Sequence, residues 1–131
     1  MPRLDETAKG VYLITVTPFR DDGALDLEST DRLTDFYLDC GVTGFTVLGV
    51  MGEAPKLEQR EALEVAERVI RRSTVPVIVG VSAPGFAAMR SLARASMDAG
   101  AAGVMIAPPN TLRTDEQIAG YFRQASEAIG H

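Results

Sequence analysis

Cysteine, histidine and lysine are scarce in this 131-residue sequence: one Cys, one His and two Lys. Cys40 has no second thiol to pair with, which excludes an internal disulfide and fits a reducing, cytoplasmic compartment. With His131 as the lone histidine, no metal-ligand cluster and no Cys–His nucleophilic pair can be assembled. No apolar run approaches the roughly 18 residues that a membrane span needs. The stretch from Met1 to Lys9 is polar and carries no signal-peptide core. Excess positive charge is missing too. The net charge of −5 argues against nucleic acid and acidic membrane as partners. The eleven arginines are scattered, with only Arg71 and Arg72 adjacent.

What is present is an ordinary globular balance, 46% hydrophobic and 24% charged, in a length that suits one domain. Strand-like and helix-like segments alternate. Val11–Val16 is rich in β-branched residues and closes on Thr17-Pro18; the polar turn Arg20–Gly23 follows. Leu33, Phe36, Tyr37 and Cys40 then recur at helical spacing, which predicts that they form one face of a helix ending at Gly41. Phe45–Leu48 is the second strand. A helix over about Glu58–Arg72 follows, with Ala62, Leu63, Ala66, Val69 and Ile70 inward. Pro76–Val81 is a strand apolar on both sides, as in a parallel sheet covered on both faces. Gly85–Asp98 is the third helix, with Phe86, Met89, Ala93 and Met97 inward. Val104–Ala107 is the fourth strand. Asp115–Ile129 is the last helix, capped by Thr114 and burying Ile118, Phe122, Ala125 and Ile129.

Asp39–Phe45 and Asp98–Val104 echo each other: a helix end, a glycine, two residues, a second glycine, a strand. Shared turn chemistry and shared repeat ancestry explain this equally well. Either way the repeating unit is βα, which predicts an α/β fold with a parallel sheet and right-handed crossovers. An open doubly wound sheet and a barrel both satisfy the pattern. The first strand ends in Thr-Pro-Phe rather than in a glycine-rich phosphate loop, so the open sheet lacks that support.

Gly49-Val50-Met51-Gly52-Glu53 follows the second strand directly. In a parallel α/β fold this lies at the carboxyl ends of the strands, where ligands bind. The segments Val16–Phe19, Asp22-Gly23, Asp26, Cys40–Gly44, Gly49–Glu53 with Leu57 and Glu61, Val77–Gly80, and Ala99–Gly103 before Pro108 come in a fixed order and spacing. Together, from about Gly10 to Ile129, they resemble the dihydrodipicolinate synthase / N-acetylneuraminate lyase family.

The resemblance implies a (β/α)₈ barrel of which residues 1–131 are the N-terminal half, the first four βα units of a single domain. It implies a lyase that adds to or cleaves pyruvate or a related 2-keto acid through a lysine Schiff base, with no metal or organic cofactor, and usually as a tetramer. It makes Gly49, Val50, Met51 and Gly52 the loop that holds the keto-acid carboxylate, with Glu53 and Thr17 as loop supports. Asn110 either contacts the same small molecule or is an ordinary turn residue.

Three departures stand out. Family members usually carry two threonines where this chain has Val50 and Met51, which removes two hydroxyls, one of them resembling a proton-relay member. The family's Pro-Tyr-Tyr after the fourth strand is Pro108-Pro109-Asn110 here. The family's Schiff-base lysine belongs to the second half, and this chain has only Lys9 and Lys56. No catalytic residue is therefore expected in this chain, which alone should be inactive. Four βα units cannot close a barrel. The chain is expected to be a truncation, or to complete itself as a homo-oligomer or with a complementary half-barrel. A non-catalytic half-barrel that binds a ligand or self-associates is the alternative.

Overall fold

The computed structural model describes residues 3–130; His131 lies outside them. Four strands, β1 (Tyr12–Ile14), β2 (Gly44–Val47), β3 (Val77–Gly80) and β4 (Gly103–Met105), form one parallel sheet in the order β1-β2-β3-β4. Four helices alternate with them: α1 (Leu27–Asp39), α2 (Gln59–Arg72), α3 (Phe86–Asp98) and α4 (Asp115–Ile129). Each helix packs on the next, so all four share one side of the sheet. A sheet that grows strand by strand in one direction, with helices on one face, is singly wound. A doubly wound sheet reverses its order and puts helices on both faces. The alternative left open by periodicity is thereby decided for the barrel type.

In register, Ile14, Thr46, Ile78 and Gly103 form one row across the four strands. This row lies on the concave, helix-free face. The residues between them, Leu13, Phe45, Val47, Val77, Val79 and Val104, belong to the core packed under the helices. Four of those six, Phe45, Val47, Val77 and Val79, are at most 2% exposed. On the concave side Ile14 and Met105 remain 50% and 40% exposed.

The strands are shorter than the apolar runs suggest: pairing starts at Tyr12 rather than Val11 and stops at Ile14, and in the fourth strand it spans Gly103–Met105 rather than Val104–Ala107. α1 differs more. Of its expected face, Leu33, Phe36, Tyr37 and Cys40, Tyr37 packs against the core and Leu33 is half-buried, whereas Phe36 is 58% exposed and Cys40 is exposed. The buried positions are Thr30 and Thr34. Their hydroxyls donate to the carbonyls of Asp26 (3.0 Å) and Thr30 (2.8 Å), one turn back. With the hydroxyl satisfied on the helix's own backbone, threonine buries as a small apolar group. In α3, Leu92 and Ser96 join Met89 and Ala93 inside, while Phe86 and Met97 are only partly buried. α2 buries Ala62, Ala66 and Val69 as expected and adds Val65. Thr114 caps α4 in a reciprocal capping box with Gln117.

The two echoing turns have one geometry. Gly41 and Gly100 adopt φ of +81° and +106°, which only glycine does cheaply. Each is followed by the same pair of bonds: Gly41 N–H to Leu38 and Val42 N–H to Tyr37; Gly100 N–H to Met97 and Ala101 N–H to Ser96. This is the Schellman helix end, used twice to aim the chain into the next strand.

Candidate functional site

Gly49 and the short 3₁₀ turn Val50–Gly52 leave β2 at its carboxyl end, as do the β3–α3 and β4–α4 loops from their strands. Alternation would put Leu48 on the concave face. Instead Leu48 takes a left-handed φ of 59°, its side chain joins the core, and the main chain swings toward β3. Its carbonyl oxygen then occupies the space where residue 80 would carry a Cβ, so the position is Gly80.

The turn is held from below and within. Thr17 is buried, and its Oγ1 donates to the Gly52 carbonyl at 2.6 Å. The Gly52 and Glu53 N–H groups donate to the carbonyls of Gly49 (3.0 Å) and Val50 (3.1 Å). The N–H groups of Val50 and Met51, at the start of the turn, have no backbone acceptor among the described residues. Both side chains face outward, with Val50 91% and Met51 58% exposed. Glu53 is left-handed (φ 53°), and its carboxylate meets Lys56 Nζ at 3.0 Å, in a pair whose Lys56 side chain is 68% exposed. Glu53 thus joins the loop through its main chain, while its side chain faces Lys56.

Asn110 is exposed and sits with Thr111 at the tip of a turn closed by the Leu112 N–H to Pro109 carbonyl bond (3.2 Å). It occupies the same end of the sheet as the Gly49 loop but makes no hydrogen bond with it among those of the described residues. Three residues missed in the sequence also build this end. Ser82 Oγ accepts from the Ala107 N–H at 2.8 Å and ties the β3 and β4 loops together. Ile14 and Met105 reach Gly49 from β1 and β4, within 3.4 Å and 3.8 Å of where a Cβ on it would lie. Only the strand register brings those two to the same place.

Among the described residues no group of three or more His, Cys, Asp or Glu is placed to share a metal ion. No described helix is long and apolar enough to cross a membrane. The hollow between α1 and α2, lined by Asp31, Arg68, Arg71 and Arg72, lies on the helical exterior and is occupied by ion pairs. Arg68 donates twice to Asp31 (2.8 and 2.7 Å) and Arg72 twice to Asp35 (2.6 and 2.6 Å). The guanidinium hydrogen bonds hold both carboxyls below their ordinary value, overcoming the opposing effect of desolvation.

A singly wound parallel sheet whose loops converge at the strands' carboxyl ends is the architecture of a (β/α)₈ barrel, here its first four units. The chain belongs to the dihydrodipicolinate synthetase family, whose model matches residues 7–130. It is similar to a solved dihydrodipicolinate synthase from Rhodopseudomonas palustris, with 65% identity and a TM-score of 0.94 over 99% of this chain and 44% of that one. The 4-hydroxy-tetrahydrodipicolinate synthase of Nitrosococcus oceani is 34% identical over 92% of this chain and 42% of its own length. A 2-keto 3-deoxygluconate aldolase from Picrophilus torridus shares the fold (TM-score 0.86) at 23% identity. The chain thus spans less than half the length of these relatives.

Proposed function

We propose that residues 1–131 are the N-terminal half of one barrel domain in a cytoplasmic lyase that adds to or cleaves a 2-keto acid such as pyruvate through a lysine Schiff base. The lysine comes from outside these residues. The observation that carries this is the setting of the two lysines present. A nucleophilic amine must be neutral, which requires desolvation or a cationic neighbour. Lys56 is 68% exposed and its Nζ lies 3.0 Å from the carboxylate of Glu53, so it has neither the desolvation nor the cationic neighbour. Lys9 is exposed and precedes β1, at the end of the sheet opposite the Gly49 loop.

In this reading the keto-acid carboxylate meets the free N–H groups of Val50 and Met51, Asn110 offers a polar contact, and Thr17 and Glu53 keep the turn in place. The lysine nitrogen bonds to C2 and the keto oxygen leaves as water. The iminium acidifies the C3–H bond, and loss of that proton gives the enamine that attacks an aldehyde. Neither Val50 nor Met51 can carry that proton, so its carriers lie elsewhere in the barrel. No cofactor is needed. Closure comes from the rest of the domain, from a complementary half, or from a homo-oligomer.

Borohydride trapping with pyruvate, read by mass spectrometry, tests this. Residues 1–131 alone are expected to give no adduct, and the intact gene product to give one on a lysine outside them. An adduct on Lys56 would overturn the assignment. The exposed apolar pair Val50 and Met51 favours a second reading, a non-catalytic half-barrel that binds a ligand or self-associates. Absence of any adduct in the intact product, with concentration-dependent association in sedimentation, would select it.

A further inference from the structure

We infer that Met105 sets the size of the 2-keto acid this site admits, by closing the floor beneath the carboxylate loop; this rests on the Schiff-base reading above. Gly49 is the last residue before the N–H groups of Val50 and Met51. We place the carbon chain of a keto acid held by those groups over Gly49, the adjoining residue on the strand side of the turn.

Two side chains fill the space there. Ile14 Cγ2 comes from β1 and Met105 Cε from β4, at 3.4 Å and 3.8 Å from an ideal Cβ on Gly49. Met105 crosses a whole strand to do so. Its registered neighbour on β3 is Gly80, which has no side chain to block the path. Gly80 is fixed for another reason, the Leu48 carbonyl beside it, so the path is built into the bend of the main chain.

The two contacts differ in kind. Ile14 is β-branched and stiff. Met105 is unbranched and ends in a polarisable thioether, so its tip is the adjustable part of the floor. Both remain half-exposed on the concave face, on the side from which a ligand over Gly49 would approach. The surface they offer is purely apolar. It suits the short hydrocarbon end of a keto acid and offers no partner to a hydroxyl at that position.

Two substitutions move the floor in opposite directions. Met105→Ala removes the tip and deepens the site. Gly49→Ala raises the floor by one methyl group. It does so without backbone strain, because Gly49 has a φ of −77° and the new contacts are ordinary van der Waals distances.

The intact gene product is offered equal amounts of pyruvate and 2-oxobutanoate with borohydride. The adducts, which differ by one methylene, are quantified by intact mass. The native protein is expected to favour pyruvate. Met105→Ala should raise the 2-oxobutanoate share about tenfold, the discrimination a single methylene supports, and Gly49→Ala should lower it. If Met105→Ala does not fold, the Gly49→Ala shift decides alone. Ratios within about twofold of the native protein in the folded variants would overturn the role of Met105. A native protein that traps neither acid would instead strike the Schiff-base reading, and this inference with it.

Discussion

The hydroxyl of Thr17, at the end of the β1 segment, donates to the main-chain carbonyl of Gly52 across 35 residues of sequence, at 2.6 Å and buried from water. This one bond fastens the candidate carboxylate loop to the segment that leaves β1. A valine at position 17 keeps the volume and removes the donor, leaving the Gly52 carbonyl buried without a partner. Thr17→Val is expected to cost about 1–3 kcal/mol in denaturant unfolding of the intact gene product, and to weaken keto-acid binding. Thr17→Ser keeps the donor and should cost less. A larger loss in Thr17→Ser than in Thr17→Val would show that the methyl group, not the hydrogen bond, matters.

Gly80 and Gly120 form a second test, because one glycine is forced and the other is not. A Cβ at Gly80 would overlap the Leu48 carbonyl, and Leu48 is already left-handed, so its backbone has little freedom to yield. Gly80→Ala should lose about 3 kcal/mol or more, or fail to fold. Gly120 lies within α4 with nothing inside 4 Å of its would-be Cβ. Gly120→Ala should gain about 0.5–1 kcal/mol from helix propensity and from a less flexible unfolded chain. Thermal unfolding of the two variants should therefore move in opposite directions.

These contrasts show where the sequence is readable. The βα alternation, the capping of α4 by Thr114 and the stripe of α2 follow from local chemistry, and local chemistry is what a sequence displays. The Gly41 and Gly100 turns are legible for the same reason: a left-handed helix end needs glycine. The inward face of α1 is only partly legible: Tyr37 packs on the core as its spacing suggests, but hydropathy does not register that Thr30 and Thr34 satisfy their own hydroxyls. At the candidate site, position along the chain puts Gly49–Glu53 at the strands' carboxyl ends. The approach of Ile14 and Met105 to Gly49 depends on register across all four strands, which no local pattern encodes. Glu53 shows the same limit: its partner, Lys56, is decided by a left-handed turn that its neighbours do not advertise.

The two bidentate pairs between α1 and α2, Asp31 with Arg68 and Asp35 with Arg72, predict a specific acid response. Both aspartates are held below their ordinary value of 3.8 in the folded chain, first by the guanidinium hydrogen bonds. A carboxyl with a depressed folded value binds a proton more readily when unfolded. Its stabilisation is therefore fully present above the unfolded value, and it disappears as pH falls through the folded one. The double variant Arg68→Met, Arg72→Met should melt below the native protein near neutral pH. The gap should persist down to about pH 4 and close at lower pH, as the native carboxylates are protonated. The Asp35–Arg72 pair is about half-exposed and the Asp31–Arg68 pair is only partly buried, so the gap should be small and should shrink with added salt. A gap that stays constant from neutral pH to well below pH 3 would mean that the arginines act by packing their stems over α1 rather than through the carboxylates.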